Sequence, residues 1–235
     1  MILLFPAWAW AYRPFVSTDA AVADPKEFEI ELGYLNLEHT RPANIITTPS
    51  IVLNYGFVTN WEAVAEFSVE ASPEFEVTDP ALFLKGVLRE GVLQDKPGLS
   101  IAVEAGPLLP STLPHEHGVG LEAIGIVSGK VAPVTVHVNG GAGLDRDDRQ
   151  AFGVWGVIAE LAVHPKLQFV GEVNGESIQD ARPNNSALFG VIWQPTSANL
   201  FLDAGVRHRI SQVAPEWQFT LGLTLGLSLH DVLRR

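Results

Sequence analysis

The sequence predicts an all-β fold, a single transmembrane antiparallel up-and-down β-barrel of about twelve strands. Apolar and polar residues alternate strictly through residues 50–70, as in strands with one apolar and one polar face. Hydrophobic residues make up 47% of the chain and charged residues only 18%. No run of about eighteen apolar residues exists to form a spanning helix, so strands must account for this hydrophobicity.

Residues 50–70 contain two alternating runs that meet at a very short turn. Ile51, Leu53 and Tyr55 share the apolar face of the first run, whereas Glu62 and Glu66 lie on the polar face of the second. In a soluble sandwich the apolar faces would pack together in a core. In a membrane barrel they would face lipid, and the carboxylates would face a polar lumen.

The connections between the predicted strands favour the barrel. We predict strands at residues 27–36, 50–57, 61–71, 81–91, 99–106, 119–128, 134–141, 152–163, 167–176, 186–194, 199–209 and 217–227. Connections after even-numbered strands are short, and those after odd-numbered strands are mostly longer and polar. Outer-membrane barrels alternate in this way, with short turns in the periplasm and longer loops outside.

Aromatic residues near the strand ends predict two interfacial girdles. Trp61 and Trp193 lie at short-turn ends, whereas Tyr34, Phe152 and Trp217 lie at long-loop ends. The alternative is the general preference of aromatic residues for strands.

The two ends of the chain differ from the predicted barrel of residues 27–229. Residues 1–11 form an apolar run that ends in a small-x-small pattern, which predicts the remnant of a signal peptide and hence export. A buried first strand is the alternative. Residues 12–26 are polar and irregular, and we expect a periplasmic lead-in or a plug. Residues 230–235 form a C-terminal tail.

Composition excludes some functions. The formal net charge of −12 leaves no basic stripe for nucleic acid. The absence of Cys removes disulfides and thiolate metal sites.

The inward face of the predicted barrel is charged and mostly acidic. With the apolar phase of each strand turned outward, the predicted lumen-lining residues are Glu29, Glu31, Glu62, Glu66, Glu70, Lys85, Arg89, Glu104, Glu122, His137, Glu160, Glu172, Arg207 and Arg209. Extending the hairpins across the predicted turns places Glu62 opposite Arg89 and Arg89 opposite Glu104. We therefore expect an interior ion cluster of these three residues, with Glu66 and Lys85 beside it.

This cluster either lines a pore or fills it, and the sequence leaves both open. Unpaired Glu residues in an open pore would favour cations.

Features that could carry catalysis or bind a metal are weak. His115 and His117 could hold a metal on an extended segment, but no third ligand is evident, and a solvated loop is the simpler interpretation. His137 could pair with Ser100 or Ser128, although no serine-hydrolase signature is present. We predict no catalytic residue, no metal site and no cofactor.

Several stretches resemble one known family. They are residues 13–20 (RPFVSTDA), 28–34 (FEIELGY), 96–102 (KPGLSIA) with Glu104, 206–209 (VRHR) and 214–224 (APEWQFTLGLT). These resemble the transporter-like outer-membrane proteins named for the meta-pathway of phenol degradation. The resemblance implies an outer-membrane barrel associated with uptake of small, often aromatic compounds, without known catalytic residues. The last segment departs from outer-membrane barrels, which usually end in an aromatic residue, because this chain continues past Leu227.

Together these observations predict a passive channel for small solutes, aromatic ones among them, in the outer membrane of a Gram-negative cell. Its expected partners are outer-membrane lipid, a small-molecule solute and the outer-membrane assembly machinery, and no nucleic acid. The alternatives are a barrel enzyme that modifies lipid, a closed structural barrel without transport and, last, a soluble ligand-binding barrel.

Overall fold

Twelve antiparallel strands close into a single barrel in which neighbours in sequence pair and the last strand pairs with the first. The structure is a computed structural model that describes residues 13–40, 44–114, 116–147, 149–179, 181–196 and 199–228. The strands are β1 (Glu27–His39), β2 (Asn44–Val58), β3 (Trp61–Ser72), β4 (Glu76–Arg89), β5 (Ser100–Leu108), β6 (Gly120–Val131), β7 (Val134–Leu144), β8 (Ala151–His164), β9 (Leu167–Ile178), β10 (Asn184–Trp193), β11 (Leu200–Arg209) and β12 (Trp217–Ser228). The predicted fold is confirmed.

Two predicted segments lie outside the described residues, namely the signal-peptide remnant at 1–11 and the tail at 230–235. Within the described ranges, no helix is long and apolar enough to cross a membrane.

The alternation of connection lengths is weaker than predicted. The connections at 40–43 and 73–75, expected to be long, are short because β1 to β4 extend beyond their predicted ends. Conversely, residues 90–99 connect β4 to β5 at the short-turn end and contain a short 3-10 helix, Val92–Gln94. The prediction began β4 only at Ala81 because Asp79 and Pro80 are typical of loops. The strand accommodates them at a register shift, with Asp79 at φ 51°.

The outer face of the barrel is apolar. Trp193 and Trp217 are exposed at opposite ends of their strands, as the girdle prediction requires, whereas exposed Tyr34 lies within β1 rather than at its end. The girdle prediction is wrong for Phe152, which is buried. It shares the inward phase of β8 with Ile158, and its ring lies over Gly143 in the lumen.

The lumen of the barrel is occupied by the chain itself. Residues 13–26 run along the inner wall and pass the strands in roughly descending order. Their partners lie on β11 and β12, then β9, then β7, then β6, then β3, and finally β2. This inner segment therefore makes about one circuit of the wall before it enters β1.

Candidate functional site

Lys85 is the centre of one ion cluster inside the barrel. Its Nζ lies 3.4 Å from Glu62 Oε1 on β3 and 3.8 Å from Asp19 Oδ1 on the inner segment. It also donates a hydrogen bond to Thr18 Oγ1 at 3.1 Å. Glu62 in turn accepts the amide N–H of Ala23 at 2.7 Å. The cluster thus ties the inner segment to two strands at buried positions.

This cluster corrects the predicted one, in which Arg89 was the central cation. The β3–β4 hairpin is tighter than expected, with Glu70 opposite Glu76 and Glu62 opposite Lys85. At Glu62 and Glu66 the pairing moves by four residues, so both carboxylates and Lys85 stay on the inward face. The central place passes to Lys85, whose other neighbour is Glu104. Arg89 lies beyond a bulge at the end of β4. It is exposed, with its guanidinium near Gly98, and does not line the lumen.

A second cluster joins β9 and β11 to the inner segment. Arg207 Nη2 lies 2.5 Å from Glu172 Oε2, and Arg207 also donates to Ser186 Oγ at 3.0 Å. Glu172 accepts the backbone N–H of Ser17 at 2.7 Å and that of Val16 at 3.2 Å. Both ions are buried, and each has more than one partner.

A third cluster surrounds Arg13. Its guanidinium lies 3.8 Å from Asp203 Oδ2 and donates to Thr220 Oγ1 at 2.7 Å, and its backbone N–H donates to Glu31 Oε2 at 3.3 Å. Glu31 also accepts a hydrogen bond from Asn54 at 2.9 Å. Sequence reasoning missed Arg13 and Asp203. The inward phase of Arg207 on β11 could have identified Asp203, which is four residues away on the same face.

A cavity of about 170 Å³ remains in the lumen on the long-loop side of the inner segment. Its walls carry Glu31, Glu66, Glu104 and Glu122, and we call it the acidic chamber. The inner segment and Lys85 form its floor, and Phe15 and Phe83 are among the lining residues. Of the four carboxylates, Glu66, Glu104 and Glu122 make no hydrogen bond and no ion pair with any other described residue. All three line the cavity.

His137 and Ser128 lie opposite each other on β7 and β6. His137 Nδ1 is 2.8 Å from Ser128 Oγ, and Nε2 is 3.6 Å from Glu160 Oε2. The arrangement contains the groups of a serine, histidine and carboxylate triad. However, Ser128 Oγ accepts the N–H of Ala20 at 3.0 Å, and Ser128, His137 and Ala20 are fully buried. The hydroxyl lies inside the lumen, toward the short-turn end of β6, and not at the outer lipid boundary.

Three other predicted lumen residues lie outside these clusters. Glu29 is buried on β1, while Glu70 and Arg209 are partly buried at the long-loop ends of β3 and β11.

The histidine pair proposed for the loop between β5 and β6 is only partly described. His115 lies outside the described residues. Its neighbour Glu116 accepts the hydroxyl of Ser111 at 2.7 Å and pairs with Arg146 at 3.4 Å. In the described part of the chain, no group of three or more His, Cys, Asp or Glu residues could hold a metal ion.

Two solved structures are similar to this barrel. The NanC porin superposes with a TM-score of 0.63 at 9% identity, over 85% of this chain and 100% of the porin. An outer membrane channel from Pseudomonas putida F1 gives 0.60 at 10% identity, over 88% of this chain and 97% of the channel. The chain has the fold of outer-membrane channel barrels. No family model and no curated protein matches the sequence.

At these identities the likeness concerns the fold. A closed barrel of twelve strands with an apolar outer face is the structure that spans the outer membrane, which is the predicted location. The resemblance to the family named for phenol degradation stays a resemblance.

Proposed function

We propose that the protein is a passive channel for small solutes across the outer membrane, with a preference for cations. The observation that carries this proposal is the acidic chamber, where three carboxylates that make no hydrogen bond or ion pair with another described residue line a cavity inside a closed barrel. Rings of unpaired carboxylates attract cations and repel anions in a pore.

The inner segment acts as a plug in this proposal. It circles the inner wall between the chamber and the short-turn end and narrows the lumen there, so in this proposal solute passes only when part of it moves. Its polar anchors are charged groups on several strands, and water and ions entering the lumen can replace them. The channel is therefore closed at rest and opens by displacement of residues 13–22.

Aromatic solutes, which the family resemblance implies, belong to the proposed range because Phe83 of β4 lines the chamber beside its carboxylates. A small cation with an aromatic ring can contact both kinds of side chain.

The test is the reversal potential of a variant lacking residues 13–22, measured in a planar bilayer under a salt gradient. We expect cation selectivity, and we expect Glu66→Gln, Glu104→Gln and Glu122→Gln together to reduce it. The control is Glu90→Gln in the exposed connection 90–99, where the hydrogen bond from Lys96 lowers the pKa of Glu90. That carboxylate is charged but outside the lumen, so its loss should leave selectivity unchanged. Anion selectivity of the deletion variant would refute the proposal.

A closed structural barrel is the second candidate. The favouring observation is that buried ion pairs hold the inner segment at Lys85 and at Glu172. Silence of both the full chain and the deletion variant, with folding verified, would favour this candidate.

We propose no enzymatic activity. A lipid-modifying barrel would need its nucleophile within reach of lipid, whereas Ser128 is covered by Ala20.

A further inference from the structure

The outer wall of the barrel has a depression of about 460 Å³ across β5, β6 and β7, near their long-loop ends. Its floor is a row of small residues, in which Ala105, Ala123 and Ala142 pair across the three strands. Gly125 and Gly140 pair with each other in the next row, which adjoins this floor. All five residues are exposed on the lipid-facing phase of their strands. We call the depression together with the adjoining glycine row the lateral groove.

The glycines of the lateral groove are not required by the chain's own packing. A Cβ atom added to Gly140 would meet no atom within 4 Å, and one added to Gly125 would meet only a carbonyl oxygen at 3.7 Å. Some other strand glycines make room for the chain itself. Gly86 lies under the ring of Trp61, and Gly156 lies against Ser17. Glycine within a strand weakens a sheet and often marks the close approach of another group. At the groove, the space above the two glycines is open to a group from outside the chain.

The rim of the groove is apolar. Exposed Leu121 and Leu144 close it toward the loops, and exposed Leu84, which pairs with Ala105, flanks it on β4. This wall faces the hydrocarbon of the membrane on the long-loop side, which is the outer leaflet. A hydrocarbon chain is therefore the occupant that the groove's surface favours.

An exposed Arg lies close to the rim. Arg149 is exposed in the β7–β8 loop, two residues before Ala151, which pairs with Leu144 of the rim. Arg149 makes no hydrogen bond or ion pair with another described residue. Arg146 in the same loop is buried and paired with Glu116, whereas Asp147 accepts the backbone N–H of Gly118. An apolar groove next to an exposed guanidinium is complementary to an amphiphile with an anionic headgroup.

We propose that the lateral groove seats one acyl chain of a phosphorylated glycolipid of the outer leaflet, the lipid A type, with Arg149 on its phosphate. The proposal does not depend on channel activity. It goes beyond general lipid contact because it assigns one ordered lipid to one site.

Native mass spectrometry of the full chain in detergent, exchanged with diphosphorylated lipid A, tests this proposal. The wild-type chain should retain one lipid A. The double variant Gly125→Leu and Gly140→Leu fills part of the groove from positions where an added Cβ meets no atom closer than 3.7 Å, and it should lose the lipid. Gly171→Leu is the matched control, because Gly171 also faces outward with its nearest foreign atom at 3.6 Å, but lies on β9 outside the groove. Heat-dependent electrophoretic mobility verifies that each variant folds.

Arg149→Ala should reduce retention of diphosphorylated lipid A about fivefold, as expected for an exposed charge-assisted contact. It should not change retention of lipid A whose phosphates have been removed. Three results would overturn the proposal. One is equal retention by the wild-type and groove-filled chains. The second is that the wild-type chain retains phosphatidylglycerol as well as it retains lipid A. The third is a dimer of the chain that the groove-filling substitutions abolish.

Discussion

Lys85→Met should open the channel. The substitution keeps most of the side-chain volume but removes the cation that lies 3.4 Å from Glu62 and 3.8 Å from Asp19. All three side chains are buried, so the variant leaves two carboxylates in the lumen without their main partner.

The expected cost follows from this burial. Removing one partner of a buried ion pair destabilises by about 3–5 kcal/mol. The barrel can avoid most of this cost by releasing the inner segment near Asp19, because that carboxylate then reaches water while the strand ladder stays intact. If the whole cost acts on this local equilibrium, the open population rises by roughly a hundredfold to several thousandfold.

Single-channel recording of the refolded full chain measures this effect as open probability. The matched control is Lys96→Met, which removes the same cation from an exposed pair with Glu90 and should leave the open probability unchanged. Protease cleavage within residues 13–22 should become faster in the Lys85 variant only. A folded Lys85→Met barrel with wild-type gating and wild-type protection of the inner segment would refute this reasoning.

Two further predictions concern the same segment, besides the selectivity change described above. A Cβ on Gly156 would lie 2.9 Å from Ser17 Cβ, so a small local shift permits a disulfide in the double variant Ser17→Cys and Gly156→Cys. Oxidation should abolish channel openings, and a reductant should restore them. Openings that persist after verified oxidation would count against the plug. Ser128→Ala removes the acceptor of the Ala20 N–H, so amide hydrogen exchange should accelerate at Ala20. A fluorophosphonate probe should label neither the variant nor the wild type. Labelling of the wild type at Ser128 would support the enzyme alternative.

The alternation of the sequence was sufficient to predict the barrel, because lipid on one side and a polar lumen on the other impose the same two-residue period on every strand. It was not sufficient to predict which inward residues meet. Glu62, Lys85 and Glu104 follow from the phase of β3, β4 and β5, but their pairing depends on the turn at residues 73–75 and on the bulge at Asp79.

The inner segment shows a second limit of sequence reasoning. Residues 13–26 have no regular period, so their local pattern does not specify a path. The path depends on lumen groups that are distant in sequence, such as Glu172 for Ser17 and Ser128 for Ala20. The prediction for Phe152 was wrong for a related reason. The space for its ring inside the barrel exists only because Gly143, which has no side chain, faces it.

The most direct test of the central claim is the single-channel conductance of the refolded chain with and without residues 13–22. The account predicts rare, brief openings of the full chain and sustained, cation-selective steps of the deletion variant. Equal, sustained conductance of both forms would show that the inner segment does not close the lumen, and would contradict the account.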